Sequence, residues 1–244
     1  MALAVGMTAA QPAAPDQFGL MKKPIEGLMV TGRMTFSRAL SDGARAMRSH
    51  FLTFGIELTV VDYPDGPMVI SSQPRGGTVG EFLRDLFRQA PTYEYEVISE
   101  HTVSVYPKGA KEDPNDILNL RIPRFDVDDQ DAGPILGFPD MFIPELQAKL
   151  FPPTPGQDQL FQYIGGVVPG PKVTLHLRDV TVREILNAVT VATENPKGDG
   201  RDDYPVSWRC RTGTMTGEVK PRCGAFHSLP PNAKELVHPA RSKQ

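Results

Sequence analysis

Two cysteines are the residues of this chain whose type and position predict chemistry most directly. Cys210 and Cys223 lie close together in the C-terminal part, with two glycines and a proline between them. In an oxidising compartment such a pair closes a small loop, which stabilises the folded state by roughly 3 kcal/mol in the chain-entropy model. Two unpaired thiols in a mobile tail are the other interpretation. A structural zinc site is disfavoured because it needs four ligands, and His227 is the one further candidate nearby.

The densest group of carboxylates is the second candidate for chemistry. Its members are Asp126, Asp128, Asp129 and Asp131. Closely spaced carboxylates can offer oxygens to Ca²⁺, but the glycine at position six and the closing glutamate of a calcium-binding loop are both missing. A solvated acidic turn is therefore the expectation, and we predict no metal site.

The other polar residues form no catalytic pattern. The five histidines show neither of the zinc-binding spacings, and a Gly-x-Ser-x-Gly nucleophile elbow does not occur. Gly76 and Gly77 precede a predicted helix, where a phosphate could bind, but the P-loop lysine and the dinucleotide-binding glycine spacing are missing, so a plain turn is expected. We predict no catalytic residue, no cofactor and no enzymatic activity.

Composition narrows the class of partner. The formal net charge is -3 with both signs interleaved, which does not favour a nucleic-acid partner. No run approaches the ~20 apolar residues that span a bilayer, so no membrane span is predicted. The N-terminal residues are small and apolar and then turn polar, like the end of a secretory signal, although the basic start is missing. A disordered tail rich in alanine and proline is the alternative.

Helices and strands must position the candidate residues described above. The sequence pattern of these elements is clearest between residues 27 and 107. Apolar spacing predicts helices over 35–50 and from Thr78 to Pro91. Strands are predicted at 28–31, 56–61, 68–72, 93–98 and 102–106, which gives the order β-α-β-β-α-β-β. Tyr93, Tyr95 and Tyr106 on these strands either line a contact surface or form packing pairs.

The later part of the chain repeats this pattern with an interruption. Strands are predicted at 117–122, 173–177 and 206–210, and helices at 143–150 and 181–193. Aligning Thr78 with Thr181 also aligns Glu81 with Glu184, and both threonines begin a helix with a capping box. A Pro-rich loop at 152–171 interrupts the second copy. A duplicated small unit explains the match best.

Several segments together carry a resemblance to a known family: Phe36-Ser-Arg-Ala-Leu40, Gly55-Ile-Glu-Leu-Thr-Val60, Gly77-Thr-Val-Gly-Glu-Phe-Leu83, Tyr93-Glu-Tyr-Glu-Val97, Thr102-Val-Ser-Val105 and, more weakly, residues 173–186. In these segments the first copy resembles the short N-terminal domain of secretins and TonB-dependent receptors. The resemblance implies a periplasmic α+β domain that docks partner proteins, although no secretin pore or receptor barrel follows in this chain.

The sequence thus predicts an α+β fold of two small sheet-and-helix units. The predicted organisation is a signal-like or disordered tail at 1–26, the first unit at 27–110, the interrupted second unit at 111–212 and a disordered tail at 213–244. The expected function is that of an exported, periplasmic interaction or scaffolding protein, which would bind an envelope protein such as a secretin or an outer-membrane receptor. A ligand-binding protein or enzyme with a site built from residues 123–171 is the alternative.

Overall fold

The computed structural model describes residues 18–27, 32–47, 50–59, 66–71, 77–152, 169–195, 204–212 and 222–227. This part of the chain is a mixed α+β structure, as predicted. Its strands form one five-stranded sheet and two two-stranded ribbons, with helices packed against them.

The first half has the predicted order β-α-β-β-α-β-β. The strand predicted at 28–31 lies outside the described residues, and the first strand that the structure describes spans Gly32–Thr35. The elements are β1 (Gly32–Thr35), α1 (Phe36–Ala46), β2 (Thr53–Thr59), β3 (Met68–Ser71), α2 (Val79–Gln89), β4 (Tyr93–Val97) and β5 (Thr102–Pro107).

The second half repeats this order with one difference. A helix follows the first strand directly, as in the first half, but the position of β2 is taken by a different helix. The elements are β6 (Arg121–Asp131), α3 (Ala132–Gly137), α4 (Pro144–Leu150), β7 (Lys172–Thr181), α5 (Val182–Ala192), β8 (Ser207–Thr212) and β9 (Arg222–Phe226).

Both predicted capping boxes are present. The Glu81 backbone N–H donates to Thr78 Oγ1 at 3.2 Å, and the Thr78 N–H donates to Glu81 Oε2 at 2.8 Å. In the second half Glu184 N–H donates to Thr181 Oγ1 at 3.2 Å, and Thr181 N–H donates to Glu184 Oε2 at 2.6 Å. Each pair satisfies two backbone donors that an uncapped helix leaves without a partner, which fixes where α2 and α5 begin.

A second contact repeats at the start of the other helix in each half. The Phe36 N–H donates to the Pro67 carbonyl at 2.9 Å, and the Ala132 N–H donates to the Pro171 carbonyl at 3.1 Å. These bonds lie where β1 leads into α1 beside β3, and where β6 leads into α3 beside β7. The two halves therefore share local hydrogen bonding as well as element order.

The five-stranded sheet joins the halves, with strand order β4-β5-β2-β8-β9. Strand β2 pairs in parallel with β5 on one side and with β8 on the other. Two antiparallel hairpins, β4–β5 and β8–β9, complete the sheet. Strand β2 of the first half thus pairs with one strand of each hairpin.

Two apolar cores lie on the two faces of this sheet. Alternation along β2 sends Phe54, Ile56 and Leu58 into the core that α1 and α2 cover. The intervening Gly55 and Glu57 face α5, next to the core that contains the buried Trp208. Because both of its faces are covered, β2 is buried along almost all of its length.

The two predicted tails need correction. In the N-terminal tail, Leu20 and Ile25 are buried in the first core, and the Ile25 N–H donates to the Gly77 carbonyl at 2.7 Å. In the C-terminal tail, Arg222–Phe226 form β9. The first segment is ordered because its apolar side chains pack into the first core. The second segment is ordered because it pairs with β8.

The start of the second unit also differs from the prediction. Residues Ile117–Asn119 form a 3₁₀ turn rather than a strand, and β6 begins at Arg121. The Asp116 carboxylate accepts a hydrogen bond from the Leu118 N–H at 2.8 Å, and this local contact favours the turn.

Candidate functional site

The predicted disulfide is present. Cys210 on β8 and Cys223 on β9 lie directly opposite each other, with their Cα atoms 4.0 Å apart and their sulfurs bonded. Cys210 is fully buried in the second core. The bond ties β9 to β8, which gives a physical reason for the strand inside the predicted C-terminal tail.

The four clustered aspartates do not act as one group. They lie along β6 and at its end, so the predicted acidic turn is a strand instead. Asp126 Oδ1 accepts from Arg178 Nη1 at 2.5 Å across the β6–β7 ribbon, and Arg124 also contacts Asp126. Hydrogen bonds from Arg178 and then Arg124 hold the pKa of Asp126 well below its usual range.

The other end of the acidic segment is structural. Asp131 Oδ1 accepts from the Gly133 N–H at 3.1 Å and from the Gly170 N–H at 3.0 Å, so it caps α3. Asp129 occupies the left-handed region, with φ of 50°, at a bulge in β6. Within the described ranges no group of three or more His, Cys, Asp or Glu side chains is placed to hold a metal ion.

The histidines are also dispersed. His101 lies in the β4–β5 turn as predicted, where its ring stacks on Phe51 at 4.1 Å. Burial, and then the nearby Lys23 charge, lower the pKa of His101. His227 follows β9, with Nε2 2.8 Å from the Pro169 carbonyl oxygen. His238 lies outside the described residues.

A buried ionic network, which the sequence analysis did not find, lies where β2, α5 and the 3₁₀ turn meet. Glu57 is 0% exposed and Arg183 is 4% exposed. Arg183 Nη2 donates to Glu57 Oε2 at 2.6 Å, and Thr212 Oγ1 donates to Glu57 Oε1 at 2.7 Å. Asn119 Oδ1 accepts from Arg183 Nη1, and Asp116 Oδ2 lies 3.4 Å from Nη2.

The network perturbs the acid at its centre. Burial raises the pKa of Glu57 to about 8, and the nearby Asp116 carboxyl acts in the same direction. The Arg183 charge acts against this shift. Two carboxyl groups therefore share one guanidinium, an arrangement that favours retention of a proton. The available sequence signal was a single acid, Glu57, within a predicted strand of apolar and β-branched residues.

The network borders a cavity of about 30 Å³. Thr212 lies in its wall together with apolar side chains that include Leu118, Leu146 and Leu150. Such a volume holds roughly one water molecule, whereas small-molecule sites measure about 300–1,000 Å³. The network therefore has the properties of a structural joint between the halves.

A polar stripe along α5 continues this joint across the sheet. Asn187 Nδ2 donates to Ser104 Oγ at 3.3 Å, and Trp208 Nε1 donates to Asn187 Oδ1 at 3.2 Å. Just beyond the end of α5, the Glu194 carboxyl accepts from the hydroxyls of Ser99 and Thr102. Burial raises the pKa of Glu194 against these hydrogen bonds. Polar pairing of this kind fixes α5 in register over β5 and β8.

The remaining features are the predicted tyrosine and glycine candidates and the exposed side chains of the β1–β3 ribbon. Tyr93 is buried, with its ring 5.1 Å from that of Phe36, which favours the packing interpretation for that tyrosine. Gly76 lies outside the described residues. The β1–β3 ribbon has no further strand beside it in the described part, and it carries Met68 and Ile70, which are 48% and 59% exposed.

Comparison of the chain with protein-family models, with curated proteins and with solved structures finds no match. The resemblance to the secretin and receptor domain therefore remains an expectation from the residues quoted above. No helix among the described residues is long and apolar enough to cross a membrane.

Proposed function

We propose that this protein is an exported, non-enzymatic interaction or scaffolding protein of the cell envelope. In this proposal it belongs with the periplasmic short N-terminal domains of secretins and TonB-dependent receptors. Its partner is an envelope protein, such as a secretin or an outer-membrane receptor, and not a nucleic acid.

The disulfide supports export. Structural disulfides form and persist in oxidising compartments such as the bacterial periplasm, and cytosolic reductants keep most thiols reduced. The Cys210–Cys223 bond crosses two paired strands and fixes the edge of the main sheet, so it has a structural role. The apolar N-terminal segment is consistent with the same destination.

The β1–β3 ribbon is the observation that carries the proposed binding function. Within the described residues no further strand lies beside this ribbon, and a strand edge presents backbone groups to which another chain can pair. Met68 and Ile70 follow the alternation of one strand, so both exposed side chains lie on the same outer face. Exposed apolar groups beside such an edge favour a protein partner.

Capture from a periplasmic extract tests the proposal. The bait is the full chain, compared with Ile70→Lys and with Met141→Lys, a matched change at a 54% exposed methionine outside the ribbon. We expect the wild-type chain and Met141→Lys to recover the same envelope protein and Ile70→Lys to lose it. Recovery of no envelope protein by the wild-type chain would contradict the proposal, as would cytoplasmic protein with freely alkylatable Cys210 and Cys223.

The alternative function is a ligand site within residues 123–171. Pro139, Asp140, Leu146 and Leu150 of this segment line the cavity of about 30 Å³, which is too small for a metabolite. Residues 153–168 lie outside the described residues. Saturable binding of a small ligand that is lost on deletion of residues 152–171 would favour this alternative.

A further inference from the structure

The outer edge of β3 is already paired, but by a side chain. The Ile70 N–H donates to Gln89 Oε1 at 2.7 Å, and Gln89 Nε2 donates to the Ile70 carbonyl at 2.9 Å. A carboxamide has the same donor and acceptor as a peptide group. Gln89 therefore makes the two hydrogen bonds that one residue of an antiparallel strand would make at this position.

The register of the ribbon explains why the N–H and C=O groups of Ile70 point away from β1. Arg33 lies opposite Ile70, and Met34 lies opposite Val69. The Phe36 N–H to Pro67 carbonyl bond continues the ladder, so the hydrogen-bonded pairs are Met34 with Val69 and Phe36 with Pro67. In an antiparallel ladder the residues between such pairs direct their N–H and C=O away from the partner. Ile70 thus directs both groups away from β1, toward Gln89.

We infer that the outer edge of β3 is an acceptor site for an extended segment of another protein, whose place the Gln89 carboxamide holds in the free molecule. The inference rests on the proposed function and specifies its binding edge and its class of partner. On binding, the incoming backbone replaces the two Gln89 hydrogen bonds. Its side chains then lie beside Met68 and Ile70 on the exposed face.

The small size of the edge favours a short segment of another protein over a second copy of this chain. Gln89 shows that the edge accommodates a peptide-like group with good geometry at both atoms. By contrast, a stable dimer needs roughly 1,000 Å² or more of buried surface. The four residues of β3, with two exposed apolar side chains, offer far less. The segment that fits is short and extended, with apolar side chains at alternate positions.

An NMR titration of the full chain tests the inference with a defined probe. The probe is an acetylated, amidated hexapeptide in which valine alternates with threonine, and its control is the same peptide N-methylated at alternate residues. We expect saturable shifts at the amides of β3 and slower hydrogen exchange at Ile70. We also expect at least tenfold weaker binding of the N-methylated peptide, because it cannot donate to the edge.

Variants at position 89 test the role of the carboxamide. Gln89→Ala removes the resident group, so the peptide should bind roughly tenfold tighter than to the wild-type chain. Gln147→Ala makes the same chemical change on α4 and should leave affinity unchanged. Absence of saturable binding to Gln89→Ala, or equal binding of both peptides, overturns the inference.

These outcomes separate the inference from the proposed function. If the peptide does not bind while the wild-type chain still captures an envelope protein, the β3 site is wrong and the interaction function stands. If the chain captures no envelope protein but binds the peptide through its backbone, the edge is an acceptor site and the proposed envelope role is wrong.

Discussion

The buried Glu57 carboxyl should make the stability of the folded protein fall as the pH rises. Burial raises the pKa of Glu57 to about 8 in the folded state, compared with an ordinary value of 4.5. Below pH 4.5 both the folded and the unfolded states hold the proton, and the stabilising contribution is fully present. Between these values only the folded state holds it. Above about pH 8 neither state does, and the contribution is lost.

The structure sets the size of this effect. Glu57 is 0% exposed, so solvent does not screen the carboxyl. Each pKa unit corresponds to about 1.4 kcal/mol, so a proton held at pH 8 instead of 4.5 changes the free energy of unfolding by at most about 5 kcal/mol. Glu57→Gln keeps the shape of the side chain and removes the titration. The variant should therefore lack the Glu57 component of the pH dependence.

Urea denaturation of the wild-type chain and of Glu57→Gln between pH 4 and pH 9 measures this difference. We expect the two proteins to differ little at pH 5, and the stability of the wild-type chain relative to the variant to fall by several kcal/mol toward pH 9. Equal pH slopes in the two proteins would refute the reasoning. So would a wild-type chain that gains stability relative to the variant as the pH rises, because that is the behaviour of a carboxylate held ionised by Arg183.

Three further changes test the architecture. Replacing Cys210 and Cys223 by serine should lower the free energy of unfolding by about 3 kcal/mol, measured against the oxidised wild type; no change would show that the bond is not structural. Gly55→Ala places a Cβ 2.6 Å from the buried indole and should cost about 1–3 kcal/mol, whereas Gly224→Ala meets nothing within 4 Å; equal thermal stability of the two would contradict the packing. Thr181→Ala removes the cap of α5 and should cost about 1 kcal/mol in urea denaturation; an unchanged midpoint would argue against that cap.

Helices α1, α2, α4 and α5 and the first half of the fold were accessible from the sequence because their signals are local, whereas α3 was not predicted. A capping box needs only Thr78 and Glu81, and an apolar stripe needs one turn of spacing, so both can be read within one segment. The internal repeat was visible for the same reason, since the same two residue types recur at Thr181 and Glu184.

The shared sheet was not accessible, because strand pairing is not local. Nothing in the pattern of β2 distinguishes a strand with one neighbour from one that pairs with both β5 and β8. The joint over it depends on Arg183 reaching Glu57 from a distant helix, and neither residue belongs to a recognisable motif. Strand β9 was missed because it is short and rich in small residues, and its place depends on the bond to Cys210.

The acidic segment was predicted wrongly for a different reason, which is that its residue types suggest a turn. Aspartate is depleted in strands, so residues 126–131 favoured a turn. In β6 the Asp126 side chain lies on an exposed face, where it pairs across the ribbon with Arg178 and His176. A ribbon with one solvated face tolerates such residues, and its pairing partners lie far away in the sequence.

Photocrosslinking in living cells tests the central claim of an exported interaction protein most directly. A benzoylphenylalanine introduced in place of Ile70 lies on the exposed face of β3, and the same group in place of Met141 is the matched control. We expect position 70 alone to form an adduct with an envelope protein in cells that produce the chain. No adduct at either position, or an equal adduct at both, would contradict it.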